Sequence, residues 1–483
     1  MTKNRVIVFT ILLFCMIFRY SFLGFEYFPT TDDNNQYGIY NLRNDNIYEN
    51  VIQHYKGYNV RPLAFFTDAY VFSWFWDNMY LLLLIMIIMH FFTSVMFENI
   101  MEKLGFKFGL LGMIIFTLSP FLVQSTYWIS AASRLVVSLF LCISSIRLFI
   151  CYIEKKEKLS NWKKVGMIFL IFLLNILSVG YYEQTIVFNF IFFVYVIYKY
   201  RNKIFYIVPS ISTTLIGIYY YISIKNNAMQ ERGNIRLDGI IEHISHTISF
   251  LWEKFVPMQA SLLKHGIING FDNSFAIIMA VILGIILAFF VKKEMIPNEG
   301  KYVRGFILGI VLFVVPFAPF LILQDSSADV RNFYISYLGL GLMASSVYYG
   351  ILGKAKHFKV INVVVLPVLV FTFMICNYYE ISNYKNIYEF DNYITAEIID
   401  NVDSKIFDGK EELYVDYDIE ILNFKNKNSV ARSVLEEDWA LMGKIQLMRD
   451  STNIGQIIMR QAGIPGVYID KNLEIKLNNI YNN

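Results

Sequence analysis

The sequence predicts an all-α polytopic membrane protein, with about eleven transmembrane helices and a small extracytoplasmic α/β domain at its C-terminal end. Hydrophobic residues make up 56% of the 483, charged residues only 17%, and mean hydropathy is +0.45. A soluble chain carries about a quarter charged residues. The apolar residues gather in runs of about 20, the length that crosses a bilayer as a helix. Lys and Arg collect in alternate connections between those runs, the pattern that fixes orientation in a membrane.

The runs fall at roughly 6–25, 78–97, 108–127, 129–153, 165–181, 184–199, 204–224, 273–291, 306–324, 334–353 and 358–378. The first follows a short basic start, MTKNR, but bulky EYFP stands where a signal peptide would have a small-residue cleavage site, so it reads as a retained helix. The two runs on either side of YYEQT are short, which makes the split there the weakest boundary. Basic residues occupy one set of connections: Lys3 and Arg5, Lys103 and Lys107, the 155–164 lysines, Lys199 to Lys203, Lys292 to Arg304, and Lys354 to Lys359. That side is the cytoplasm, which puts the N-terminus inside a bacterial cytoplasmic membrane. The opposite side holds the 26–77 loop, the turns near Trp128 and Glu183, the 225–272 loop, the 325–332 loop and everything after Tyr378. Two domains follow: a multi-span domain over 1–378 and an extracytoplasmic domain over 379–483. In the latter, NIYEFDNYITAEIIDNV and SVLEEDWALMGKIQLMRD have helical spacing, while ELYVDYDIEIL and GVYIDKNLEIKL alternate as strands do.

Several classes are excluded early. A net charge of +3 does not suggest nucleic acid as a partner. Cys15, Cys142, Cys151 and Cys376 all fall in apolar runs, with neither disulfide nor zinc spacing. No glycine-rich phosphate loop, GxSxG elbow, HExxH or kinase set occurs, and the cytoplasmic connections leave no room for a nucleotide-binding domain.

The residues suited to chemistry lie on the extracytoplasmic side. Asp32 and Asp33 follow the first run in EYFPTTDDNNQYG. Adjacent carboxylates repel, so one can act as a base, or the two together can grip a divalent cation such as Mg or Mn. The competing reading is that TTDD simply starts a helix. Arg61 in NVRPL precedes an aromatic stretch suited to the membrane interface. Arg134 and Arg331 are exceptions to the charge rule and could hold phosphate through two-pronged guanidinium contacts. An ion pair with Asp325 or Asp329 is the alternative for Arg331. Glu183 in VGYYEQT could orient a substrate hydroxyl or pair with one of the arginines. His243 and His246, at i and i+3 in EHISHT, lack a third ligand at metal spacing and read as part of an amphipathic surface helix.

Taken together, the acidic pair after helix one, NVRPL at 59–63 and the multi-span body resemble the GT-C superfamily of lipid-linked glycosyltransferases. NVRPL is similar to the (G)RPL motif of the bacterial GtrII-like group. The sequence departs from better-known members in having Asn34, Asn35 and Gln36 directly after the acidic pair. The resemblance implies an inverting hexosyltransferase whose donor is a polyprenyl-phosphate-linked sugar held in the lipid and whose acceptor is a cell-surface glycan. One Asp would take the acceptor proton, Arg134, Arg331 and Arg61 would hold the donor phosphate, and Glu183 would orient substrate. The acidic pair leaves a divalent cation, Mg or Mn, open as a cofactor beside it. A polysaccharide polymerase would use outward arginines without the Asp pair. A lipid-linked glycan flippase or transporter would place its charges at mid-membrane.

Overall fold

The computed structural model describes residues 3–42, 61–200, 215, 240–249, 253, 255–291, 301–318, 330–353, 355–401, 413–417, 430–450 and 457–461. These residues are mostly helical. Five helices among them are long and apolar enough to cross a membrane: Pro62–Leu104, Ile129–Lys155, Asn161–Tyr181, Ser274–Val291 and Phe358–Asp400. A sixth span results if Gly109–Leu118 and Pro120–Thr126, bent by 44° against each other, count as one. The apolar helices Asn4–Phe18, Thr185–Tyr200 and Tyr302–Phe317 are shorter. The split at YYEQT is real, because one helix ends at Tyr181 and the next begins at Thr185. The predicted span at 204–224 lies outside the described residues apart from Leu215.

The chain clusters into two compact units. The first comprises Met1–Phe22, His54–Phe65 and Leu83–Tyr378. In a membrane, helices gain little from hiding apolar surface from one another, so small residues that let backbones approach become the means of packing. Tyr302–Val314 and Ser336–Leu352 pack this way. A Cβ at Gly309 would stand 2.9 Å from both the Gly339 carbonyl oxygen and the Met343 backbone nitrogen, and one at Gly305 would stand 2.7 Å from Ser346 Oγ.

The bent helix pair needs polar help. Ser119 is extended and Pro120 has no N–H to offer, so Gly109–Leu118 ends with carbonyls that nothing in its own helix satisfies. Arg19 donates to the Thr117 carbonyl at 2.5 Å, and Asn377 donates to the Leu118 carbonyl at 2.7 Å. Arg19 is fully buried, reaches Thr126 Oγ1 at 3.2 Å and lies over the Tyr20 ring at 4.2 Å. A cation at a helix C-terminus is stabilised by the partial negative charge there. The sequence reading passed over both side chains.

The second unit comprises Leu23–Gln53, Phe66–Leu82 and Tyr379–Asn483. Its helix Asp438–Met448 packs on the 34–38 stretch at two glycines. A Cβ at Gly38 would meet Leu447 Cδ1 at 2.6 Å, and one at Gly443 would collide with the Asn35 side chain. Asn35 also donates to the Trp439 carbonyl at 2.8 Å. Farther along, buried Asp391 accepts from Ser433 Oγ at 2.6 Å and from the Val434 N–H at 3.1 Å. A parallel strand pair joins Leu413–Tyr417 to Ile457–Gln461. The first of these falls inside ELYVDYDIEIL; GVYIDKNLEIKL lies outside the described residues. The stretch Phe66–Leu82 is turned inside out for a soluble surface: Phe66 and Trp74 are 54% and 64% exposed, whereas Asp68 is 2% exposed and accepts from the Tyr37 hydroxyl at 3.1 Å.

The close helix contact makes a prediction. Gly309→Leu will destabilise the protein by about 1–3 kcal/mol or more, because backbone atoms on the facing helix cannot yield. Gly166→Leu, where an added Cβ meets nothing within 4 Å, will change stability by less than about 0.5 kcal/mol. Thermal unfolding in detergent, with both variants side by side, checks the difference.

Candidate functional site

Four of the sequence-predicted residues come together around Tyr182 in the first unit. The helix Asn161–Tyr181 ends there, and Tyr182 is extended, with Glu183 in the turn before Thr185–Tyr200. Gly180 lets the 61–65 segment close onto this end, since a Cβ on it would meet Leu63 Cδ1 at 2.6 Å. Pro62 occupies the first position of the helix Pro62–Thr67, where its missing N–H costs nothing. Arg61, just before it, is thereby aimed at Glu183. Its Nε donates to Glu183 Oε2 at 2.7 Å, and its Nη2 donates to Oε1. The same guanidinium stacks over the Tyr182 ring at 4.3 Å. Of the two roles read for Glu183, the structure shows the ion pair.

Arg331 arrives from the other side, in the short 3-10 turn Val330–Phe333. Its backbone is held at both polar atoms: its N–H donates to Gln124 Oε1 at 3.1 Å, and its carbonyl accepts from Ser125 Oγ at 3.1 Å. The guanidinium lies over the Trp128 ring at 4.9 Å. The neighbouring Asn332 donates to the Tyr182 hydroxyl at 2.8 Å and accepts at its carbonyl from Gln184 Nε2 at 3.2 Å. Asp325 and Asp329, the alternative partners for Arg331, lie outside the described residues. Arg134 is buried one turn into Ile129–Lys155 and donates to the Ser130 carbonyl.

Electrostatics tie these groups into one cluster. Burial pushes the Tyr182 hydroxyl up from its ordinary value, while the charges of Arg61, Arg331 and Arg134 all reach it and pull the other way. Burial also raises the Glu183 carboxyl, but the charge and hydrogen bonds of Arg61, with help from Arg134, outweigh it and hold the group below the usual carboxylate value. Three guanidinium groups stand with one carboxylate among the described residues here, a grouping that suits an anionic ligand. Tyr182, Gln184, Asn332 and Gln124 were not picked out from the sequence as site residues. The signal for three of them is that Tyr182 and Gln184 flank Glu183 and Asn332 follows Arg331; Gln124 lies in a separate stretch, PFLVQSTYW.

The acidic pair belongs to the second unit. Thr30 caps the helix start, and Asp33 reaches back to close a capping box, accepting from the Thr30 N–H at 3.1 Å and from the Tyr27 hydroxyl. Asp33 is fully buried and Asp32 half-buried. The helix-start reading therefore describes Asp33, and the two carboxylates are not equivalent. Among the described residues no group of three or more His, Cys, Asp or Glu side chains could hold a metal ion. The cap N–H and the Tyr27 hydroxyl both donate to Asp33 Oδ2. EHISHT does lie on a helix, Ile240–Ser249, with Ile241, Ile244 and Ile248 turned outward.

Comparison of the chain with protein-family models, curated proteins and solved structures finds no match.

The ion pair predicts a pH dependence. Because the folded Glu183 carboxyl lies below its unfolded value, its stabilisation is fully present above the ordinary carboxylate pKa of about 4.3. It fades as pH falls through the lower folded value. Wild type will exceed Glu183→Gln in stability by about 1–3 kcal/mol from pH 8 down to about 5, and the gap will close on further acidification. Unfolding curves of both proteins across that range test it.

Proposed function

We propose that this protein is a membrane glycosyltransferase that moves a sugar from a polyprenyl-phosphate carrier to a cell-surface glycan on the extracytoplasmic face. The observation that carries the reading is the gathering of Arg61, Arg134 and Arg331 around Tyr182, at helix ends in a chain rich in membrane-length helices. Cleavage of a glycosyl phosphate releases a phosphate monoester whose charge grows as the bond breaks. Preorganised cations in a site sheltered from water stabilise that charge most where it develops. The GT-C resemblance, the eleven-span topology with its N-terminus in the cytoplasm, and an extracytoplasmic α/β tail all belong to this reading. The missing cytoplasmic nucleotide site fits as well, since the donor is reached through the lipid.

In this mechanism a carboxylate of the acidic pair takes the proton of the acceptor hydroxyl as it attacks the anomeric carbon. Inversion follows from attack opposite the leaving phosphate. We assign this role to Asp32, the half-buried member of the pair, whereas Asp33 lies fully buried in the cap. The transporter alternative draws on the bent pair Gly109–Leu118 and Pro120–Thr126, since broken helices often expose their ends to cargo. Here Arg19 and Asn377 consume the freed carbonyls, so the break serves the fold.

The test is release of polyprenyl phosphate by purified protein supplied with polyprenyl-phosphate glucose, mannose or galactose and an extract of surface glycan. Turnover will require one of the sugars. Arg331→Ala will lower kcat/KM by about a hundredfold or more, and Asp32→Asn will abolish turnover at unchanged stability. Asp33→Asn will instead cost about 0.5–2 kcal/mol of stability through the cap. Wild-type turnover in Asp32→Asn removes the base assignment. No turnover with any donor points to the polymerase or transporter.

A further inference from the structure

Two buried polar atoms beside the arginine cluster have no hydrogen-bond partner among the described residues: Trp128 Nε1 and Gln184 Oε1. Both side chains are at least 99% buried. Leaving such a group unpaired costs about 1–3 kcal/mol, so buried orphans in a native fold need an explanation. Their identities are secure. Asn332 offers a carbonyl to the Gln184 amide, which must turn its NH2 that way, and the remaining atom is the acceptor oxygen. The indole nitrogen can only donate. Trp128 lies under the Arg331 guanidinium, and Gln184 is bonded to the backbone of the residue next to Arg331.

We propose that the cluster recognises a phosphate ester bearing a hydroxyl on the carbon next to the ester carbon, the Trp128 indole N–H donating to a phosphate oxygen and the Gln184 carbonyl accepting from that hydroxyl. A lone anion would need donors only; the acceptor is what calls for a hydroxyl. A hexose 1-phosphate meets both demands, whereas a bare polyprenyl phosphate has no such hydroxyl. Gln184 is therefore a specificity residue that separates the sugar-loaded carrier from the spent one. This rests on the glycosyltransferase reading above and deepens it.

The experiment is titration calorimetry on the full-length protein in detergent. The probes are glucose, mannose and galactose 1-phosphates, 2-deoxyglucose 1-phosphate and inorganic phosphate. At least one hexose 1-phosphate will bind about tenfold or more tightly than both the 2-deoxy compound and inorganic phosphate. Gln184→Leu will erase that difference while leaving inorganic phosphate within about threefold of wild type. Trp128→Phe, which keeps a ring under Arg331, will weaken every phosphate probe by about tenfold. Because the ligand series is run on the unaltered chain, a variant that fails to fold does not blunt the test. Equal affinity for hexose and 2-deoxy compounds overturns the inference; the function proposed above survives that result if Arg331→Ala loses phosphate binding. If the unaltered chain binds no phosphate probe, both fall.

Discussion

The cluster around Tyr182 depends on the pairing of Arg61 with Glu183. A carboxylate buried between two apolar helices is costly unless it is matched, and its partner must be a cation held in fixed geometry. Arg61 supplies that through two hydrogen bonds and a stack on Tyr182. The pair then fixes the turn between Asn161–Tyr181 and Thr185–Tyr200, which in turn places Gln184 against Asn332. Arg331 is fixed from the other side through its backbone, by Gln124 and Ser125. The backbone contacts of Arg331 and the Ser130 carbonyl bond of Arg134 place these two side chains from elements other than the Glu183 turn.

The bent helix shows the same economy at another position. Arg19 is a full charge in a buried place, and its hydrogen bonds among the described residues go to a carbonyl and a hydroxyl. What it meets is the end of a helix, the Thr126 hydroxyl and the Tyr20 ring. A helix terminus offers about half an elementary charge, and hydrogen bonds with ring contact add to it. A buried cation in this chain is thus satisfied by dipoles in one place and by a carboxylate in another. Only the carboxylate case leaves a pH signature.

Much of this was legible in the sequence and some was not, for identifiable reasons. Membrane-length helices follow from run length, because every backbone polar group in lipid must be bonded within its own segment. Arg61, Arg134 and Arg331 stood out because cations near an apolar run demand a reason, and the structure brings all three to one tyrosine. Arg19 escaped notice because its partners, the Thr117 carbonyl and Thr126, lie about a hundred residues away along the chain. Gly38, Gly180 and Gly443 escaped because a close approach is a property of two distant segments. One segment alone shows only a glycine.

The acidic pair shows where adjacency misleads. As a string, Asp32-Asp33 presents two equal carboxylates, and nothing in it says which of them could act as the base. Helix geometry breaks the equality: the residue three positions after the N-cap reaches back to the cap's own N–H, and here that residue is Asp33. The neighbour, rotated about 100° around the axis, cannot make that contact and remains half-buried. One aspartate thus holds the turn, and the turn holds the other in place. A base needs such a scaffold more than it needs a second carboxylate, because proton transfer depends first on where the oxygen stands.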